Sequence, residues 1–150
     1  MTELPFGFKG KIFRSPMPFG DYDPDGELMK EYSDNDVSVI VPLAGVAECE
    51  EKAKRNLHRL YKEKGFDVVS LPVRDFAAPG KEALADIIGK VIDYAESSRH
   101  VVVHCSAGQG RTGTFMACMA RTLFGMSGEE AIAWTRRYIP GAVETLVMIT

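Results

Sequence analysis

The sequence predicts a single α/β domain with a central, mostly parallel sheet of about four to five strands flanked by helices. Short runs of β-branched residues alternate with longer segments in which apolar residues recur at helical spacing. The length of 150 residues suits one domain. Apolar residues make up 45% and charged residues 26% of the chain, which is typical of a globular protein. We therefore expect residues 1–150 to form one folded unit.

Three strands are predicted where apolar and β-branched residues run together. These segments are Val37–Leu43, Phe66–Val73 and His100–His104. The third is almost entirely apolar, so we expect it at the centre of the sheet. Pro42 should end the regular pairing of the first strand, because proline has no amide hydrogen to donate.

Four helices are predicted from apolar residues spaced three to four positions apart. They are Glu48–Lys64, Lys81–Ser97, Thr112–Gly125 and a fourth that runs from Ser127 to about Tyr138. The third ends on a glycine suited to a C-cap, and the fourth opens with a Ser-x-x-Glu capping box. Acidic and basic residues four apart, among them Glu48 with Lys52, are expected on the solvent-facing side of the first helix.

Charge and cysteine content exclude several classes of partner. A net charge of −3 provides no basic surface for nucleic acid or for an anionic membrane. No apolar run approaches the roughly 20 residues that span a bilayer, and the N-terminus has no signal-peptide core. Cys49, Cys105 and Cys118 show no short paired spacing, which disfavours a disulfide framework or a zinc site. We expect a monomer in the reducing cytoplasm.

The segment His104–Gly113, HCSAGQGRTG, contains two overlapping patterns that both concern phosphate. Its three glycines have the spacing of a dinucleotide-binding turn. The residues after Gly113 are predicted to be helical, however, whereas a dinucleotide fold needs a returning strand. Arg111 would also occupy the space where a pyrophosphate meets bare backbone. Cys105 and Arg111 instead place a nucleophile and a guanidinium at the two ends of one short loop.

Cys105 can attack phosphorus only as the thiolate. We expect the backbone amides of the loop and the N-terminus of the next helix to stabilise that anion and to bind a phosphate. Gly108 and Gly110 are expected to supply the positive φ angles that such a nest requires. Arg111 offers two parallel N–H donors to two phosphate oxygens. The predicted phosphate-binding residues are Ser106, Ala107, Gly108, Gln109, Gly110 and Arg111.

Two neighbours of the loop are predicted to assist it. Thr112 places a hydroxyl where it can donate a hydrogen bond to the Cys105 sulfur and ease its departure in a second step. His104 should point away from the pocket, because successive strand residues alternate in direction. We expect His104 to support the loop through hydrogen bonds.

At these residues the chain resembles the cysteine-dependent protein tyrosine phosphatase superfamily, whose signature is His-Cys-x-x-Gly-x-x-Arg-Ser/Thr. Residues 104–112 match it, with Gln109 at a variable position. Chain length and element order are similar to the compact, dual-specificity-like members. The resemblance implies a phosphatase-like fold and a metal-independent phosphatase without a cofactor. The implied substrate is a protein or peptide phosphorylated on tyrosine, with phosphoserine and phosphothreonine admitted, and the implied intermediate is a cysteinyl-phosphate.

The resemblance also implies a general acid on the loop after the preceding strand. Asp75 and Pro79 are similar to the family's Asp-x-x-x-Pro pattern, so Asp75 is expected to protonate the leaving group and then to activate water. Large members position that water with a downstream glutamine. Gln109 is the only glutamine in this chain. It either assists from within the loop, or the second step proceeds without a glutamine.

Two other classes of function remain open. A rhodanese-like or arsenate-reductase-like enzyme would use a loop cysteine without needing Asp75, and sulfur transfer from thiosulfate would reveal the former. A pseudophosphatase would bind phosphopeptides without turning them over. The uncharged variable positions of the loop disfavour phosphoinositide substrates. Arg136 and Arg137 are interpreted as solvated helix surface rather than as a second phosphate site.

Overall fold

A computed structural model describes residues 1–74 and 80–143 of the chain. Its five-stranded sheet has the order β1-β2-β5-β3-β4. The strands are β1 (Thr2–Leu4), β2 (Ile12–Ser15), β3 (Val37–Pro42), β4 (Asp67–Val68) and β5 (His100–His104). Only β1 and β2 pair antiparallel, and the other three pairings are parallel. The predicted mostly parallel α/β sheet is thus confirmed.

Six helices in the described part of the chain cover the sheet. They are α1 (Glu27–Asp34), α2 (Val46–Ala53), α3 (Leu57–Glu63), α4 (Lys81–Glu96), α5 (Gly110–Phe124) and α6 (Gly128–Arg136). Successive residues of β5 face opposite sides of the sheet. Val101 and Val103 therefore pack with α4, α5 and α6 on one face, whereas Val102 packs with α1, α2 and α3 on the other. The sheet is therefore covered on both faces. None of these helices is long and apolar enough to span a membrane.

Strand β5 occupies the centre of the sheet, as its composition predicts. It pairs parallel with β2 on one side and with β3 on the other. Its three valines have no exposed surface. Ligands bind beyond the carboxyl ends of strands in folds of this kind. The loop that follows His104 opens at that edge, between the carboxyl ends of β2 and β3.

The predicted helix Glu48–Lys64 is wrong as a single element, because it is divided into α2 and α3. Lys54 ends α2 in the left-handed conformation, with φ of 59°. Asn56 then caps α3 by accepting a hydrogen bond from the Arg59 amide at 3.1 Å. The short polar side chain of Asn56 was the signal for this second start.

Other differences concern the edges of the fold. Within the predicted strand Phe66–Val73, only Asp67–Val68 forms strand β4. The three elements before Val37 were not predicted from the sequence. By contrast, the capping box of α6 is present, with the Glu130 amide 3.2 Å from Ser127 Oγ. Helix α5 ends at Gly125 in the left-handed conformation, as predicted, but starts at Gly110.

Candidate active site

A cavity of about 440 Å³ lies over the loop between β5 and α5. Cys105 lies at its base, with 3% of its surface exposed. The residues that line this cavity are Asp21, Tyr22, Lys52, Cys105, Ser106, Ala107, Gln109, Gly110, Arg111 and Gly141. Five of the six predicted phosphate-binding residues are therefore among the lining residues. Gly108 is the exception, because it lies against β2 on the outer side of the loop.

The backbone of the loop combines one left-handed glycine with a helix start. Gly108 has φ of 75°. Gly110 does not have a positive φ, because it is the first residue of helix α5. The prediction of positive φ at both glycines is therefore right for Gly108 and wrong for Gly110. The helix begins two residues earlier than predicted, so its N-terminal end includes Gly110 and Arg111 of the predicted phosphate-binding loop.

Arg111 is held in place by a carboxylate that sequence reasoning assigned to solvent. Its Nη1 and Nη2 atoms each lie 2.8 Å from one carboxylate oxygen of Glu48. Nη1 also donates to the Val73 carbonyl at 2.8 Å. Hydrogen bonding from Arg111 lowers the pKa of Glu48 to about 2, and burial opposes this shift. Glu48 forms the expected pair with Lys52 as well, at 2.8 Å.

Thr112 lies in the first turn of α5 and is completely buried. Its Oγ1 donates to the Cys105 sulfur at 3.1 Å. This is the contact that the sequence predicts. A hydroxyl in this position can stabilise negative charge on the sulfur both before an attack and when the sulfur leaves.

His104 lies on the side of β5 that faces away from the cavity, where it has no exposed surface. Its Nδ1 is 3.0 Å from the Cys105 carbonyl oxygen, which can only accept, so Nδ1 carries the hydrogen. Nε2 then accepts from the Tyr61 hydroxyl at 2.8 Å. Burial lowers the pKa of His104 to about 4 and raises the pKa of Tyr61. The neutral imidazole thus links α3 to the start of the loop.

Gln109 precedes α5, and its side chain lies against Gly141. A Cβ on Gly141 would overlap Gln109 Oε1. Arg136 fixes this segment from α6, with its guanidinium donating to the Ala142 carbonyl at 2.9 Å and to that of Val143 at 2.7 Å. The interpretation of Arg136 as solvated helix surface is thus incomplete, because the side chain binds the carbonyls of the two residues that follow Gly141, which lines the cavity.

The predicted acid, Asp75, and its partner Pro79 lie outside the described residues. Among the described residues before that segment, Val73 contacts the site, because its carbonyl accepts a hydrogen bond from Arg111. Several residues at the site were not found from the sequence, among them Asp21, Tyr22 and Gly141 in the cavity lining, Glu48 beside Arg111, and Arg14, which donates to the Gly108 carbonyl. Glu48 carried no local signal, since its spacing to Lys52 is typical of a solvated helix face. Arg14 did carry one, because a charged residue interrupts the apolar strand β2.

Comparison with known proteins agrees with this geometry. The family model described as "Polymorphic toxin system, DSP-PTPase phosphatase" matches residues 20–123. The chain therefore belongs to the DSP-PTPase phosphatases, and the predicted relationship to the cysteine-dependent protein tyrosine phosphatase superfamily is confirmed. Within the described residues, no group of three or more His, Cys, Asp or Glu side chains is placed to hold a metal ion.

Similar sequences are found among much longer proteins. Tyrosine-protein phosphatase cdc-14 of Caenorhabditis elegans is 36% identical over 134 residues, which is 89% of this chain and 16% of that protein. Dual specificity protein phosphatase CDC14C of Homo sapiens is 37% identical over 87 residues, which is 57% of this chain and 20% of that protein. This chain thus spans less than a quarter of either relative.

Solved structures share the fold over almost the whole chain. Kinase associated phosphatase superposes with a TM-score of 0.87 at 19% identity, covering 99% of this chain and 88% of that one. A mutant form of Tk-PTP superposes with a TM-score of 0.75 at 30% identity, covering 92% of this chain and 84% of that one. The first likeness concerns the fold, and the second extends to the sequence.

Proposed function

We propose that this protein is a phosphomonoester hydrolase that removes phosphate from phosphotyrosine in proteins, and also from phosphoserine and phosphothreonine. The observation that carries the proposal is the arrangement at the cavity base. The Cys105 sulfur accepts a hydrogen bond from Thr112 and shares the cavity lining with Arg111, whose guanidinium is oriented by Glu48. A nucleophile, an anion-binding loop and a fixed guanidinium are the requirements of phosphoryl transfer through a covalent intermediate.

In the first step the Cys105 thiolate attacks phosphorus in line with the leaving oxygen. The S–P bond forms and the P–O bond breaks, while the loop amides and Arg111 hold the equatorial oxygens. The leaving oxygen takes a proton from Asp75, which we assign as the general acid on its sequence motif. The products are the dephosphorylated hydroxyl and a cysteinyl-phosphate.

In the second step water attacks the cysteinyl-phosphate and the S–P bond breaks. The Asp75 carboxylate takes the proton of the water, and phosphate leaves. Thr112 Oγ1, 3.1 Å from the sulfur, stabilises the departing thiolate. Gln109 lines the same cavity, and we keep as a hypothesis that it helps to position the water. If single-turnover kinetics show that Gln109→Ala breaks down the intermediate at the wild-type rate, that hypothesis is wrong.

The residues at the mouth of the cavity favour a phosphorylated protein side chain as the substrate. Tyr22 lies there with 65% of its surface exposed and can stack on the ring of a phosphotyrosine. Asp21 and Lys52 lie at the same cavity and offer both signs of charge to the flanking residues of a peptide. A phosphoinositide would instead favour a basic lining, whereas the variable loop positions are uncharged.

We further propose that the protein acts as a monomer in a reducing compartment such as the cytoplasm. Cys49, Cys105 and Cys118 are all free thiols. A nucleophilic cysteine must stay reduced in order to act, which suits such a compartment. Light scattering at micromolar concentration tests the monomer, and imaging of the tagged full-length protein tests the location.

A phosphopeptide panel tests the proposed reaction. The wild type should release phosphate from tyrosine-phosphorylated peptides, Cys105→Ser should release none, and Asp75→Ala should be slowed strongly. Cys118→Ser, which changes a half-buried thiol of α5, is the matched control and should keep wild-type activity. Full activity in Cys105→Ser would contradict the mechanism. Binding of phosphopeptides without turnover would indicate a pseudophosphatase, and sulfur transfer from thiosulfate would indicate a rhodanese-like enzyme.

A further inference from the structure

Arg14 of strand β2 contacts the Cys105 loop from the side opposite the cavity. Its Nε lies 2.9 Å and its Nη2 2.6 Å from the Gly108 carbonyl oxygen. Nη2 also lies 3.1 Å from the Ala107 carbonyl oxygen. One side chain thus binds two successive carbonyls of the loop. Arg14 can reach them because β2 pairs parallel with β5, so that both strands end at the same edge of the sheet.

These hydrogen bonds set the direction of the loop amides. In a trans peptide unit the carbonyl of one residue and the amide of the next point in opposite directions. Every peptide bond in the described residues is trans. Holding the carbonyls of Ala107 and Gly108 outward therefore turns the amides of Gly108 and Gln109 inward, toward the cavity. The Met17 amide does the same for the preceding unit by donating to the Ser106 carbonyl at 2.9 Å.

The close approach of β2 also explains why the loop has glycine at position 108. A Cβ on Gly108 would lie 2.6 Å from Arg14 Nη2 and would overlap the Ser15 carbonyl. The residue has φ of 75°, which favours glycine as well. The loop and β2 therefore fit together only when residue 108 has no side chain.

The charge of Arg14 is directed at the loop rather than neutralised by a carboxylate. Among residues 1–74 and 80–143, no Asp or Glu forms an ion pair with it, whereas Arg111 is paired with Glu48. Partial burial lowers the pKa of Arg14, and the negative charge of a Cys105 thiolate opposes that shift. A half-buried cation behind the loop stabilises an anion in front of it, because the medium between them screens charge weakly.

We propose that Arg14 is a positioning residue that holds the loop in its phosphate-binding form and stabilises the Cys105 thiolate from behind. The assignment rests on the proposed phosphatase function of the same site. Arg14 does not touch the substrate, so its contribution is made through the loop amides and through its charge. The two contributions require different properties of the side chain, namely two aligned donors and a positive charge.

Two variants separate these contributions. Arg14→Lys keeps the charge but loses the planar pair of donors, and Arg14→Gln keeps one donor but loses the charge. The measurements are the affinity for inorganic phosphate by calorimetry and the rate of Cys105 alkylation by iodoacetamide at pH 6. We expect both variants to bind phosphate about 10- to 100-fold more weakly, which is the effect of hydrogen bonds that involve a charged group. Alkylation at pH 6 should slow several-fold in Arg14→Gln and stay near the wild-type rate in Arg14→Lys.

Arg59→Gln is the matched control, because Arg59 is an exposed residue of α3 that pairs with Glu63. It should leave both measurements unchanged. Phosphate affinity and alkylation within about twofold of the wild type in both Arg14 variants would overturn the assignment. Neither measurement depends on turnover. A wild type that binds phosphate but hydrolyses no phosphopeptide would therefore overturn the proposed function alone, and an active wild type with unaffected Arg14 variants would overturn the assignment alone.

Discussion

Arg111 and Glu48 form a two-point ion pair, with each guanidinium Nη atom 2.8 Å from a carboxylate oxygen. Arg111 is 5% exposed, so the pair lies at the buried edge of the cavity. The carboxylate fixes the plane of the guanidinium before any phosphate arrives, which reduces the entropy that substrate binding would otherwise lose. The pair joins α2 to the start of α5 across the carboxyl edge of the sheet.

Replacing Glu48 with glutamine should therefore impair phosphate binding although Glu48 does not touch the substrate. The NH2 group of glutamine donates and cannot accept a hydrogen bond, so the two-point contact that orients Arg111 is lost. We expect Glu48→Gln to reduce kcat/KM about 10- to 100-fold in a steady-state assay with a tyrosine phosphopeptide. Glu50→Gln, on the exposed side of α2, is the control. Wild-type kcat/KM in Glu48→Gln would show that the ion pair has no part in catalysis.

Glu48 also makes the stability of the fold depend on pH in the acidic range. Its pKa is about 2 in the folded protein against 4.5 ordinarily. The contribution of the ionised carboxylate is therefore complete above pH 4.5 and is lost as the pH falls toward 2. In urea unfolding, the wild type should be more stable than Glu48→Gln near pH 6, and the difference should shrink between pH 4.5 and pH 2. A difference that stays constant over this range would contradict the assigned pairing.

The buried His104 should produce a second pH dependence, at higher pH. Its pKa is about 4 in the folded protein against 6.5 ordinarily, so the unfolded chain binds more protons between these values. Stability should therefore fall as the pH is lowered from 6.5 to 4.

Tyr61→Phe removes the hydrogen bond to Nε2 and should cost about 1–3 kcal/mol in urea unfolding at pH 7. Tyr138→Phe, on the other face of the sheet, should cost less, and equal losses would argue against the linkage.

Thr112→Ala should slow the breakdown of the intermediate more than its formation. The variant removes the hydroxyl that lies 3.1 Å from the sulfur, so the thiolate becomes a poorer leaving group. We expect the second step to slow about 10- to 100-fold and the burst of leaving group to become visible in rapid-mixing kinetics. Thr112→Ser should recover most of the rate. Thr122→Ala, whose hydroxyl bonds to the Cys118 carbonyl on the same helix, should show no burst, and a burst there would implicate the helix instead.

Gly108→Ala should destabilise the protein and abolish phosphate binding together. The new methyl group would overlap the Ser15 carbonyl and force a residue with a side chain to keep φ of 75°. The backbone strain alone costs about 1–3 kcal/mol. Gly89→Ala in α4 meets no atom within 4 Å and should stabilise the helix slightly. Thermal unfolding and phosphate titration of both variants check this, and unchanged affinity in Gly108→Ala would show that the loop tolerates a shift away from β2.

Elements with a local signal could be predicted from the sequence. The apolar run of β5 predicts a central strand, and the segment that follows it carries Cys105, the amides, Arg111 and Thr112 within a few residues. Their relative positions are fixed by the conformation of one loop, so the motif predicts the contact between Thr112 and the sulfur. Asp75 was predicted in the same way, from its motif and its place after a strand, and it stays a prediction.

Residues that are far apart along the chain complete the site only in the folded protein. Glu48 is 63 positions from Arg111, and Arg14 is 94 positions from Gly108. No periodicity or motif connects residues so far apart, because their contact depends on the strand order and on where each helix begins. The division of residues 48–64 into two helices is different, because Asn56 is a local N-cap signal for the start of α3. The chain thus encodes the nucleophile and its loop locally, while the groups that orient the loop and its arginine come together only when the sheet forms.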